Sequence, residues 1–128
     1  MQIQLEPADN NSIQAYDQNH VMISGKKYTQ NMIITATQII SHWDAVELAD
    51  LTPDQFREVL TDPPDIILLG HNLRQTIRPN LLIQELSKIR IGIECSDIGA
   101  ACRTFNVLLN ENRRVVLAIL FHTNNSAV

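Results

Sequence analysis

Between Ile91 and Phe121 the apolar positions change period twice. Ile91, Ile93 and Cys95 alternate with Gly92 and Glu94, the two-residue repeat of a short strand. Ser96 and Asp97 follow as helix starters, because their side-chain oxygens accept from the unpaired N–H groups of a first turn. A helix is therefore expected from about Ile98. Along it Ala101, Phe105, Leu108 and Leu109 form one apolar stripe, with Arg103, Asn106 and Asn110 off it. Asn110-Glu111-Asn112 ends that helix, and the nearly unbroken aliphatic run from Val115 to Phe121 predicts a strand buried on both faces.

Upstream, the pattern divides at Thr52. Ile3 and Leu5 alternate with polar neighbours, and Pro7 to Ser12 is a polar break. Ile13–Tyr16 and His20–Ile23 flank Asp17-Gln18-Asn19, which predicts a hairpin. Ser24-Gly25-Lys26-Lys27 reads as a second turn. Met32-Ile33-Ile34 and the mixed run from Ile39 to Val46 around Trp43 complete a meander of short strands over residues 1–46. Thr52-Pro53-Asp54-Gln55 is a capping box with proline at the first helical position, predicting a helix to about Leu60 with Phe56, Val59 and Leu60 inward. Asp62-Pro63-Pro64 stops it. Asp65 to Leu69 is a short buried strand, Gly70-His71-Asn72 is the loop after it, and Pro79 opens a helix over Asn80–Ile89 with Leu82, Ile83, Leu86 and Ile89 inside. The alternation of helix and strand predicts an α/β fold with a mainly parallel sheet and right-handed crossovers, leaving the direction of the last strand open.

At 128 residues the chain suits one domain. A net charge of −4 and a pI near 5.4 argue against a nucleic-acid groove, which needs clustered Lys and Arg. No basic amphipathic helix, bilayer-length apolar run or signal peptide stands out, so the expected address is the cytoplasm and the chain is not expected to be an integral membrane protein. Cys95 and Cys102 suit reduced, packed thiols rather than a disulfide framework. The glycosylation acceptors at Asn10 and Asn124 then count as chance matches.

The candidate chemistry gathers at the loops after the two parallel strands. Glu94, Asp97 and Arg103 are placed to meet His71 there, a carboxylate and imidazole set suited to proton transfer. The architectural alternative is favoured: Asp97 caps the helix, Glu94 pairs with Arg103, and His71 lines a loop. Thr104 and Asn106 are mediocre helix formers in mid-helix, which predicts side chains bonded to a neighbouring loop. Arg113 and Arg114 suit a solvated turn or partners for Glu111. Cys102 lacks any nucleophile signature, and His20, His42, His71 and His122 lack metal-ligand spacing, so no metal and no cofactor are expected.

Ile66 to Gly70, Gly92-Ile93-Glu94, Ala100 to Leu108, and Glu111 followed by Arg113-Arg114-Val115-Val116 together resemble the family of the mitochondrial complex I assembly factor 3 and the adipogenesis-associated Mth-domain protein. The resemblance covers about residues 13 to 121, and Ala-Ala-Cys-Arg-Thr-Phe-Asn at 100–106 is its most specific run. It implies a compact three-layer β+β/α domain, no established reaction for bacterial and archaeal members, and assembly of respiratory complex I through protein contacts for the mitochondrial ones. Lacking a presequence, this chain looks like a bacterial member. It departs from the family at Gly70-His71-Asn72, where Gly-Thr-Gly is common, and at Glu94 to Ile98, where Glu-x-Met-Asp-Thr is usual. Both departures fall where an α/β sheet holds ligands. The expected function is a noncatalytic protein-interaction or assembly factor with an exposed apolar patch near Trp43 or Met32, or a self-association surface. The alternative is a small-molecule binding protein or hydrolase whose site comprises Gly70, His71, Asn72, Glu94, Asp97, Arg103, Thr104 and Asn106.

Overall fold

A five-stranded mixed sheet carries the molecule, described by a computed structural model over residues 10–45, 47–75 and 77–122. The predicted strand at Ile3 and Leu5, Val46 at the end of the second apolar run, and the acceptor at Asn124 lie outside the described residues.

The first hairpins form a small antiparallel sheet of β1 (Ala15–Tyr16), β2 (Val21–Ile23) and β3 (Lys26–Tyr28). Asp17 closes the first turn by accepting from the N–H groups of Asn19 and His20. The second turn is only two residues long, with Ser24 at φ 51° and Gly25 at φ 78°, the left-handed pair that matches strand twist. Lys26 and Lys27 consequently belong to β3 and not to the turn.

The next hairpin, β4 (Met32–Ile34) and β5 (Ile39–Ile40), joins the larger sheet, so the predicted meander is divided between two sheets. Trp43 lies beyond it in a loop. The strand order is β5-β4-β8-β6-β7, where β6 is Ile66–His71, β7 is Gly92–Asp97 and β8 is Val115–Leu120. β8 runs parallel to β6 and antiparallel to β4, which settles the direction that periodicity left open.

The chain leaves β6 for β7 on one side and then returns across it to β8 on the other. Two right-handed crossovers in opposite directions place their helices on opposite faces. That is where α2 (Asn80–Ser87) and α3 (Ile98–Asn110) are found. The pleat follows: Val116, Ala118 and Leu120 pack with Ile67, Leu69, Leu82 and Leu86, while Val115, Leu117 and Ile119 pack with Leu68, Phe105 and Cys102. All six β8 residues are buried because both faces are covered. Val21 and Ile23 of the small sheet share the α3 face, giving three layers.

Several local expectations need correction. The segment after Thr52 is a 3₁₀ turn (Pro53–Phe56) followed by one α turn, α1 (Arg57–Leu60). Gln55 does accept from the Thr52 N–H, at 2.8 Å. α2 stops at Ser87, short of Ile89, because Arg90 takes φ 66° and Ile91 donates back to the Leu86 carbonyl. Ile89 is thereby turned outward, 56% exposed, and Ile83 is only half-buried. Trp43 and Met32 are both buried, so neither forms the expected apolar patch. Trp43 stacks edge-on against Phe56 and donates to the Gln55 carbonyl at 2.8 Å.

Candidate functional site

β6 and β7 send their chains to opposite faces of the sheet, and a crevice opens at their carboxyl ends for that reason. The register pairs His71 with Asp97 there. Gly70 and His71 continue β6 and are not in a loop. Gly70 faces α3 so closely that a Cβ on it would lie 3.0 Å from the Ala101 Cβ and 3.3 Å from the Ile98 Cα. Glycine at this position is what lets the first turn of α3 sit on β6. With Tyr16, Asp17 and Gln18 of the first hairpin turn closing one side, the ends of β6 and β7 enclose a concavity of about 290 Å³.

His71 is the one buried polar side chain among the described residues, 2% exposed. Its Nδ1 accepts from the Leu73 N–H at 3.1 Å, which leaves the proton of the neutral ring on Nε2. That Nε2 has no partner among the described residues. Burial holds the imidazole pKa below its ordinary value, against the opposing pull of Asp97.

Asp97 accepts from the Ala100 N–H at 2.8 Å and so caps α3. Arg103 donates to the Tyr16 hydroxyl at 2.7 Å, its guanidinium lying 6.0 Å from the centre of the same ring. Arg103 is thus spent on the first hairpin, and the expected pair with Glu94 does not form. Register explains why Glu94 is absent from the site: it lies opposite Leu68, three residues and about 10 Å before the strand end, exposed on an edge strand.

Asn72 donates to the carbonyls of Gln18 and His122 and accepts from the His122 N–H, tying three separate segments together. Asn106 does the same work on the flank of α3. Its side chain accepts from the Ile13 N–H at 2.7 Å and donates to the Ile13 carbonyl at 3.0 Å, as a neighbouring strand would. Thr104 is half-buried on α3 away from the concavity. Tyr16 and Gln18 were missed as site residues in the sequence, where they read only as hairpin. Their one signal is that a hairpin turn must pack somewhere.

Burial pushes the Cys102 thiol up to about 12, and it also raises the Cys95 thiol. Both shifts disfavour the thiolate, the nucleophilic form. Among the described residues, those lining the concavity include no Ser, Thr, Cys or Lys. Among the described residues no three His, Cys, Asp or Glu come together as metal ligands. The crevice offers hydrogen-bond acceptors at Asp17 and Asp97 beside the buried His71 ring, and among the described residues no attacking group lines it.

No helix among the described residues is long and apolar enough to cross a membrane. Over 106 residues the chain is 26% identical to the 13 kDa major membrane protein of Francisella tularensis subsp. holarctica, a match spanning 82% of this chain and 86% of that one. A Xanthomonas campestris protein solved by NMR has a TM-score of 0.79 at 30% identity over 98% of both chains. A Bordetella pertussis protein described as a Mth938-like domain has a TM-score of 0.70 at 25% identity, covering 94% of this chain and 92% of its own. Residues 13–120 match the family model described as a protein of unknown function (DUF498/DUF598). With the same layered sheet in solved relatives and a match running over most of its length, the chain belongs to the DUF498/DUF598 family, the Mth938-like domains.

Proposed function

We propose that the chain is a noncatalytic interaction or assembly factor that acts on other proteins by contact, from the cytoplasmic side of a membrane. The observation that carries this reading is the use of the polar side chains at the sheet's carboxyl edge. Arg103 and Asn72 hold the first hairpin to α3 and to the end of β6, Asp97 caps α3, and among the described residues lining the crevice no base is paired with a nucleophile. The resemblance to mitochondrial assembly factors, and the membrane naming of the Francisella relative, support a role beside larger assemblies. Crosslinking affinity purification from the native cell tests it. A stoichiometric protein partner that also binds the purified chain is expected; turnover of a metabolite that Asp97→Asn abolishes in a folded protein would end the proposal.

A second reading rests on the unpartnered Nε2 of His71. A buried N–H without an acceptor costs about 1–3 kcal/mol, which a small ligand bearing a carbonyl or ring-nitrogen acceptor would recover. In that case ligand-induced thermal stabilisation from a metabolite panel is lost in His71→Phe. If no compound stabilises the wild type, the crevice is architectural.

A further inference from the structure

Charge is divided unequally over this chain. Residues 74–90 hold four of its ten Lys and Arg, namely Arg74, Arg78, Lys88 and Arg90, but only Glu85 of its fourteen Asp and Glu. That stretch is net +3 in a chain of net −4. It also carries three of the five large hydrophobic side chains exposed among the described residues: Ile77 at 40%, Leu81 at 51% and Ile89 at 56%. Single exposed aliphatic residues are ordinary, but three of them within one basic segment are not.

The fold explains why they are exposed. Leu82 and Leu86 turn into the core, so the opposite side of α2 faces outward. Leu81 lies on α2 four residues before Glu85, and Ile89 lies in the turn just past the helix end. Lys88 holds Glu85 at 3.1 Å and neutralises the single acid. Arg57, Arg113 and Arg114 pair with acids elsewhere and Arg103 is engaged with Tyr16, whereas Arg74, Arg78 and Arg90 make no ion pair among the described residues. Along the chain the unengaged Arg74, Arg78 and Arg90 are interleaved with the exposed aliphatic residues.

We propose that the outer surface of α2 and its two flanking turns docks on an anionic phospholipid bilayer, with Ile77, Leu81 and Ile89 entering the headgroup boundary and the cations lying among lipid phosphates. The shape favours lipid over an acidic protein. Three aliphatic side chains spread over α2 and the turns on either side of it offer no compact aromatic anchor for a partner's pocket, while a fluid surface accommodates the spread. A lipid-docked chain is compatible with either use of the crevice, so this proposal and the assembly role fail separately.

Cosedimentation of the full chain with vesicles of phosphatidylcholine alone, or mixed with phosphatidylglycerol, tests it. Binding is expected only to the phosphatidylglycerol vesicles, weakening as salt is raised. The double variant Arg74→Gln, Arg78→Gln is expected to weaken it about 25-fold, from roughly fivefold for each cation at such a surface. Leu81→Gln is expected to weaken it as well. All three positions are exposed, so unchanged circular dichroism and melting are expected to show that the variants fold. Absence of binding to the anionic vesicles, equal binding to both kinds, or unchanged affinity in both variants would overturn the proposal. So would a soluble dimer dispersed by Leu81→Gln, or tighter binding to polyglutamate than to the anionic vesicles, since either would assign the surface to protein.

Discussion

His71 shows how one residue type takes on two meanings. In the sequence it is a histidine near a glycine, a candidate base; in the fold it is a neutral ring sealed at the end of β6, its Nδ1 used by Leu73. Its folded-state pKa lies below the ordinary 6.5, so in the window under that value the unfolded chain binds the proton and the folded one does not. The linked stability is intact above 6.5 and is lost as pH falls below it. Urea midpoints measured from roughly pH 7 down to 5 are accordingly expected to decline, with a shallower slope in His71→Gln. Cys102 follows the same logic of burial. With its thiol raised to about 12 it is expected to resist iodoacetamide in the native protein and to react once urea unfolds it, as mass spectrometry of the modified peptide will show. Rapid native labelling of Cys102 would contradict the packing given for α3.

At the scale of elements, the β6–α3 junction governs the crevice. The Gly70 Cα sits against Ala101 and Ile98, and any side chain there must push the helix from the sheet. Gly70→Ala is expected to cost about 1–3 kcal/mol by overpacking, measured as a drop in the urea midpoint with little change in slope. Glu94 belongs to this scale too. On the outer strand β7 its charge discourages pairing with another sheet edge, which accounts for an exposed glutamate without giving it chemistry. Asp97 both ends β7 and caps α3; the cap was legible from Ser96-Asp97 because capping is a local matter, whereas the strand was expected to end at Cys95. The early stop of α2 was not legible: Arg90 adopts a left-handed conformation that glycine would normally signal.

For the whole molecule, β8 is the structural axis. It lies between β4 and β6, covered on both faces, so its amides open only when the sheet as a whole does. Native-state hydrogen exchange is expected to be slowest at Leu117, Ala118 and Ile119 and much faster in β1 to β3, whose strands are two or three residues long. Equal protection in both sheets would mean the small sheet unfolds together with the core. The segregation of cations around α2 belongs to this scale as well, since a count of net charge conceals it.

By itself the sequence determined what depends on near neighbours: the first hairpin turn, the capping of α3, the two-faced burial of β8 and the alternation that makes the domain α/β. Period and capping act over a few residues, and no distant partner is needed to read them. Tertiary structure alone decided which strands lie side by side, that β8 runs parallel to β6, that Arg103 reaches Tyr16 in place of Glu94, and that Trp43 and Met32 are buried. Periodicity fixes the face a side chain turns toward, but the occupant of that face is set by crossovers and packing between segments as much as 93 residues apart, as Asn106 and Ile13 are.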